Sequence, residues 1–170
     1  YRSSSPIDPA LERNDEADNA LRDAGIRTVM NMADNEQRMK SFADFGLTAY
    51  SQCDIIALDM TMTYDSDDFR KDLADGFRYI ASHEGPYLIH CVEGKDRTGY
   101  AAAILECLMG ASADEVVNDY MITYYNFYGI KPGTDQYKQI AESNIEAALA
   151  KAFGIKSIYD DGVDLRSCSE

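Results

Sequence analysis

The sequence is poor in the residues that usually hold metals or form disulfides. It contains no tryptophan, two histidines and four cysteines in 170 residues, with no C-x2-C pair. These counts disfavour a zinc site and a disulfide framework. No stretch approaches the ~20 apolar residues of a membrane-spanning helix. We therefore expect no metal, no other cofactor and no transmembrane segment in the given chain.

Basic residues are also scarce, since 16 Lys and Arg stand against 30 Asp and Glu and the net charge is −14. Such a chain is repelled by nucleic acid and by anionic bilayers, so we expect neither as a partner and no stable membrane association. A phosphorylated ligand would need a local positive pocket. The numbering starts at Tyr1 rather than at a methionine, which leaves the compartment (cytoplasmic or exported) and the true ends of the chain open.

Hydrophobic periodicity predicts alternating strands and helices. The length and a hydrophobic content of 45% predict a single domain over residues 1–170. The predicted strands cover residues 26–32, 55–58 and 87–90, while residues 1–9 are expected to be extended or loop and residues 42–52 partly irregular. The predicted helices begin near Asn14 (as cap), Asn35, Asp65, Arg97, Ser112 and Thr134, and another begins within residues 163–170. We expect Gly25 to end the first helix, residues 112–115 to form a capping box, and the helix from Thr134 to run to residue 152. In the helix after Arg97, the expected core face is Ala101, Ile104, Leu105 and Leu108. This order indicates an α/β fold with a mostly parallel central sheet flanked by helices.

One segment carries most of the chemical information. Residues 87–89 are apolar, residues 90–99 read H-C-V-E-G-K-D-R-T-G, and a helical pattern begins at Arg97. A strand, a tight loop and a helix bring backbone N–H groups and a helix N-terminus to one point, which favours anion binding. Cys91 begins this loop as a candidate thiolate nucleophile. Arg97 offers a planar fork of donors that matches phosphate oxygens.

The same segment has the form C-x5-R-[ST] and resembles the loop of cysteine-dependent phosphatases. Together with segments 1–4, 24–29, 119–120 and 124–126, the G-K-D-R-T-G sequence resembles the bacterial and fungal tyrosine-phosphatase-like family. The resemblance covers most of residues 1–131. It implies the cysteine-phosphatase fold and an enzyme that acts on phosphotyrosine and often on phosphoinositides.

The function expected from this resemblance is that of a metal-independent phosphomonoesterase. We expect a protein-tyrosine phosphatase with inositol phosphate activity as a further possibility, working through a cysteinyl-phosphate intermediate. Its partners would be a phosphorylated protein or an inositol phosphate. Lys95 could reach a second phosphate beside the one being cleaved, and its effect should weaken as salt is raised.

Other loop residues are expected to bind or orient the substrate. Thr98 could donate its hydroxyl to the Cys91 sulfur, and His90 could brace the loop through a ring N–H; the alternatives are a helix-start threonine and a buried core histidine. Arg2 belongs to the Arg-Ser segment that the resemblance places near the rim of the site, and its alternative is a solvated arm. The expected binding set is Arg2, His90, Val92, Glu93, Gly94, Lys95 and Thr98.

Two aspartates compete for the role of general acid, which would protonate the leaving oxygen. Relatives with the G-K-D-R-T-G loop use the loop aspartate, which corresponds to Asp96. A carboxyl group beside bound phosphate keeps its proton more readily because of the like charge, which favours Asp96. Many phosphatases of the wider class use an aspartate on a separate loop, for which Asp59 is the candidate. The choice between Asp96 and Asp59 stays open at this point.

Two other function classes compete with the enzyme. A pseudophosphatase would bind phosphate without turnover, but such proteins usually lose one of the key residues, and Cys91, Arg97 and a candidate acid are all present. A rhodanese-like sulfurtransferase or arsenate reductase also uses a cysteine in an anion-binding loop. The G-K-D-R-T-G sequence and its position in mid-chain disfavour that reading. Cys53 and Cys107 are expected to lie away from the site, so we predict no disulfide switch.

Overall fold

The computed structural model describes residues 1–167. It contains two compact units, residues 1–98 and the residues from Gly99 onward. The single domain over residues 1–170 stays a prediction. None of the helices within residues 1–167 combines the length and the hydropathy that a membrane span requires.

The first unit is built on a four-stranded, all-parallel sheet. Its strands are β1 (Arg2–Ser3), β2 (Thr28–Asn31), β3 (Asp54–Ala57) and β4 (Tyr87–His90), in the spatial order β1-β4-β2-β3. The expected α/β class is confirmed. The N-terminal residues, expected to be extended or loop, include an edge strand in which Arg2 pairs with Ile89.

Helices cover both faces of this sheet. They are α1 (Asn14–Ala24), α2 (Glu36–Ser41) and α3 (Asp67–Ser82). The unit ends at Thr98, in the first turn of α4 (Asp96–Leu108). Successive side chains of a strand point to opposite faces. Val29 packs with Leu21 of α1 and Leu88 in a buried cluster. Met30 lies against α3 at Gly76, and a Cβ on Gly76 would be only 2.3 Å from the terminal methyl of Met30.

The carboxyl ends of the strands lie side by side at one edge of the sheet. In the register, Asn31 is paired with both His90 and Ala57, and Ser3 is paired with His90. The chain segments that leave these positions must therefore begin next to one another. In parallel α/β sheets this is the edge where ligands bind.

The second unit is helical. It holds the rest of α4, then α5 (Ala113–Tyr128), α6 (Asp135–Ala141), a π-helical turn (Glu142–Glu146) and α7 (Ala147–Phe153). The capping box predicted at Ser112 is present, with Glu115 as its other member. The helix predicted from Thr134 to residue 152 is present over residues 135–153. It contains a π-helical turn that the hydrophobic period does not reveal.

Three expectations differ from the structure, in whole or in part. Asn14 is the first residue of α1 rather than its cap, because its side-chain amide donates to the Ile7 carbonyl. In the predicted core face of α4, Ala101 is buried but Leu108 is exposed. The buried side of the helix also includes Tyr100, Ala103 and Cys107. Residues 163–167 form turns rather than a starting helix; residues 168–170 of that prediction lie outside the described residues.

Candidate active site

The loop after β4 is held in place by the N-terminal segment. Gly94 has a φ of +73°, and a Cβ on it would lie 2.4 Å from the Ser3 carbonyl carbon and 2.5 Å from the Ser4 nitrogen. The Ser5 amide donates to the Val92 carbonyl at 2.8 Å. Only glycine tolerates both that φ and that contact. The backbone of the loop is therefore fixed on one side before any ligand arrives.

Cys91, the expected nucleophile, is the first residue after β4 and is buried. Its backbone neighbours are anchored, since the Met32 amide donates to the His90 carbonyl at 2.9 Å. Neither Cys53 nor Cys107 belongs to this loop. Cys53 donates its thiol to the carbonyls of Ile26 and Ala49, and Cys107 is in the buried stripe of α4.

Arg97 is oriented by two other strand ends. Its Nη1 donates to the Met32 and Met60 carbonyls, each at 2.8 Å. Its Nε is buried and has no hydrogen-bond partner. A buried donor without a partner costs about 1–3 kcal/mol of stability. An anionic ligand in the loop would give Arg97 Nε the acceptor that it lacks.

Thr98 carries a second buried polar atom of the same kind. Its side chain is fully buried and its Oγ1 has no partner. The hydroxyl can donate or accept, as the expected contact with the Cys91 sulfur requires; that contact stays a prediction. Two unpaired polar groups thus lie in the first turn of one helix, where the dipole favours a negative charge.

The remaining loop side chains form a charged group at the surface. Lys95 Nζ lies 3.3 Å from Glu93 Oε2 and 3.6 Å from Asp96 Oδ2. Glu93 is exposed, while Val92, Lys95 and Asp96 are partly buried. Lys95 is therefore balanced by loop carboxylates, and the loop's own positive charge is smaller than the sequence suggests.

The two candidate acids occupy different settings. Asp96 is the first residue of α4, inside the loop. Asp59 is exposed at a φ of +47°, and its Oδ2 accepts a hydrogen bond from Asn35 Nδ2 at 3.1 Å. The next residue, Met60, supplies a carbonyl to Arg97. The segment of Asp59 therefore reaches the same site, and the structure leaves both candidates available.

His90 is fully buried in a polar environment. Its Nδ1 lies 3.1 Å from the Cys91 carbonyl, and its Nε2 lies 2.7 Å from the Tyr50 hydroxyl. Burial lowers the pKa of His90 to about 4, with nearby Arg97 acting in the same direction. The ring is therefore neutral at neutral pH. Burial also raises the pKa of the Tyr50 hydroxyl, which stays protonated.

Arg2 lies in β1, beside the strand that leads into the loop, rather than in a solvated arm. Sequence reasoning missed two buried residues at this edge, Asn31 and Tyr50, which contact the loop through His90. The only signal was a polar residue at the end of an apolar strand, and nothing in the sequence linked it to position 50. No group of three or more potential metal ligands of the His, Cys, Asp or Glu types occurs within residues 1–167.

Comparison with known proteins shows the family of this chain. A model of the tyrosine phosphatase family matches residues 1–160, which include the entire sheet and the loop. The chain belongs to this family. The match extends past residue 131, where the resemblance noted from the sequence ended.

Individual relatives match this tyrosine phosphatase family member over shorter segments. A tyrosine-protein phosphatase from Nostoc commune is 37% identical over 59 residues, which cover 35% of this chain and 20% of that protein. The chain thus matches only about a fifth of the length of that curated relative.

Two solved structures share the fold. The core catalytic domain of the PP-IP phosphatase SIW14 from S. cerevisiae superposes with a TM-score of 0.53 at 18% identity, covering 92% of this chain and 90% of that one. A candidate phosphatase from Shewanella putrefaciens gives 0.50 at 17% identity, covering 86% and 83%. These similarities confirm the expected cysteine-phosphatase fold.

Proposed function

We propose that the protein is a phosphomonoesterase that works through a cysteinyl-phosphate intermediate and needs no metal. One observation supports this most: buried Arg97 Nε and Thr98 Oγ1 have no partners at the start of the helix that follows Cys91. A bound phosphoryl group would satisfy Arg97 Nε, and the Cys91 thiolate is the expected partner of Thr98 Oγ1. The fixed loop backbone adds amide donors without reorganisation during the reaction, which is the condition for strong transition-state stabilisation.

The proposed reaction has two steps. The Cys91 thiolate attacks phosphorus in line, so that an S–P bond forms as the bond to the leaving oxygen breaks. Asp96 gives its proton to that oxygen. Water then attacks the phosphocysteine, Asp96 takes a proton from it, and the S–P bond breaks to release phosphate and the Cys91 thiolate. Asp59 is the alternative acid and base for both steps.

Phosphotyrosine is the favoured substrate class, in keeping with the family. Inositol phosphates are the second class to test, because the SIW14 neighbour is described as a PP-IP phosphatase. Lys95 is the residue in this chain that could favour a multiply phosphorylated compound. Its pairing with Glu93 and Asp96 reduces that advantage. The net charge of −14 favours soluble compounds over those in an anionic bilayer.

Hydrolysis of p-nitrophenyl phosphate, measured with and without a chelator, tests this proposal. We expect full activity in chelator, no turnover by Cys91→Ser, and retained phosphate binding by that variant because Arg97 and the loop amides remain. Cys53→Ser is the matched control and should stay active.

Three outcomes would contradict the proposal. Activity lost in chelator would require a metal, and an active Cys91→Ser variant would require another nucleophile. Phosphate binding by the wild type without turnover would indicate a pseudophosphatase. A parallel assay of thiosulfate sulfurtransfer covers the remaining alternative.

A further inference from the structure

A buried chain of hydrogen bonds begins at the backbone of the candidate nucleophile. The Cys91 carbonyl can only accept, so the ring proton of neutral His90 must be on Nδ1. His90 Nε2 is then an acceptor and takes the hydroxyl proton of Tyr50, 2.7 Å away. The directions of both hydrogen bonds follow from the neutral state of the histidine.

Asn31 is the next member of this chain. Its side chain lies close enough to the Tyr50 hydroxyl to hydrogen-bond it. The Tyr50 hydroxyl uses its only proton in the hydrogen bond to His90. The Asn31 amide must therefore be the donor to the Tyr50 oxygen, through Nδ2. The second Nδ2 proton goes to Asp34 Oδ2 at 3.2 Å. Asn31 Oδ1 accepts from the amides of Ala33 and Asp34 at 2.8 and 3.1 Å.

The turn that Asn31 closes also holds other parts of the site. Met32, within it, supplies a carbonyl to Arg97. The Asp34 carbonyl accepts from the Asp59 amide at 3.2 Å. The Asn31 side chain is thus connected by hydrogen bonds to Cys91 and lies one residue from the support of Arg97.

We infer that Asn31 is a positioning residue for the nucleophile, acting through Tyr50 and His90; this rests on the proposed function. Its amide supplies the donor that keeps the Tyr50 proton directed at His90 and the His90 proton directed at the Cys91 carbonyl. Every member of the chain is buried, so a reversed donor has no water to replace it. No substrate contact by Asn31 is implied.

The substitution Asn31→Asp preserves shape and reverses the hydrogen bonding. A carboxylate at this position would attract the Tyr50 proton, and His90 Nε2 would lose its donor. The tautomer with the proton on Nε2 would then be favoured, and the Cys91 carbonyl would lose its bond. We expect kcat for aryl phosphate to fall roughly tenfold, the effect of about one hydrogen bond, with a smaller change in KM. Asn19→Asp, an exposed change on α1, is the control for added charge.

Alkylation of Cys91 by iodoacetate gives a readout that does not depend on turnover. Its pH profile should shift in Asn31→Asp, and Tyr50→Phe should shift it as well while keeping the ring packed. The charged groups near this chain are Arg97 beside His90, and Arg38, Asp8 and Asp59 beside Asp34. Burial already raises the pKa of Asp34, so the introduced carboxyl and Asp34 should share a proton at low pH. This shared proton should partly restore the activity of Asn31→Asp at low pH.

The double variant decides whether Asn31 acts through Tyr50. If it does, Asn31→Asp has little further effect on kcat or alkylation in the Tyr50→Phe background. An equal loss in both backgrounds overturns the inference, as does unchanged kcat and alkylation in Asn31→Asp. If that variant does not fold, an unshifted alkylation profile in Tyr50→Phe overturns it. An inactive wild type with shifted alkylation profiles would instead refute the proposed function and leave the positioning role standing.

Discussion

The first turns of α4 and α5 look alike in sequence and differ in how their polar groups are satisfied. Both carry acidic residues, Asp96 in α4 and Asp114 and Glu115 in α5. The start of α5 is closed by its own side chains, since Ser112 and Glu115 form a reciprocal capping box. The start of α4 instead retains two buried polar atoms without partners. The polar groups at the start of α5 are satisfied within the fold, whereas we propose that those at the start of α4 are satisfied when the substrate binds.

The largest expected difference between these two turns concerns their aspartates. Asp96→Asn should lower kcat about 10²–10⁴-fold for aryl phosphates with poor leaving groups, since general acid catalysis is worth that much. The loss should be far smaller for p-nitrophenyl phosphate, whose leaving group needs little protonation. Asp114→Asn makes the same change in α5 and should leave both rates unaltered.

The dependence of kcat on leaving-group pKa across a series of aryl phosphates measures this effect. If Asp59→Asn steepens that dependence and Asp96→Asn does not, the general acid is on the separate loop. The comparison of the two helix starts would then concern phosphate binding alone.

A smaller effect distinguishes the hydroxyl of Thr98 in α4 from that of Ser112 in α5. Removing the first should lower kcat, whereas removing the second should lower stability. Thr98→Val removes an unpaired buried hydroxyl, so the free energy of unfolding should stay constant or rise by about 1 kcal/mol while kcat falls. Ser112→Ala removes a working cap, so the free energy of unfolding should fall by about 1 kcal/mol with kcat unchanged. Urea unfolding and steady-state kinetics on both variants measure this. Destabilisation of both proteins would mean that Thr98 has a partner within the fold.

The smallest effect concerns the positive charge of the loop. Lys95→Ala should reduce turnover of a multiply phosphorylated inositol compound a fewfold more than turnover of a phosphotyrosine peptide. The gap should narrow as salt is raised, because the interaction is electrostatic. Lys131→Ala removes an exposed lysine and serves as the control. Equal losses on both substrates at every ionic strength would limit Lys95 to shaping the loop.

Local sequence patterns were sufficient for most of the fold. β4 was predicted at its observed bounds, and the Gly25 stop of α1 and the Ser112 capping box are both present. Each depends on residues a few positions apart. The edge strand β1 escaped prediction because its two residues are defined only by pairing with β4, more than 80 positions away in the sequence.

In the candidate site, too, only the features that are local in sequence could be predicted. The loop was visible because Cys91, Gly94 and Arg97 are close in sequence and their spacing reflects one strand–loop–helix unit. The support of Arg97 by the Met32 and Met60 carbonyls was not visible, since carbonyl groups leave no trace in residue identity. Asn31 and Tyr50 were missed because the value of a buried polar side chain depends on partners that only the fold brings together.

Identification of the phosphorylated residue tests the proposed nucleophile most directly. Turnover of an aryl phosphate would be stopped by rapid quenching in denaturant, and the phosphoryl group would be located by peptide mass spectrometry. We predict phosphate on the Cys91 sulfur in the wild type and none in Cys91→Ser. Phosphate on any other side chain, or continued phosphate release by Cys91→Ser, would contradict the assignment of Cys91 as the nucleophile.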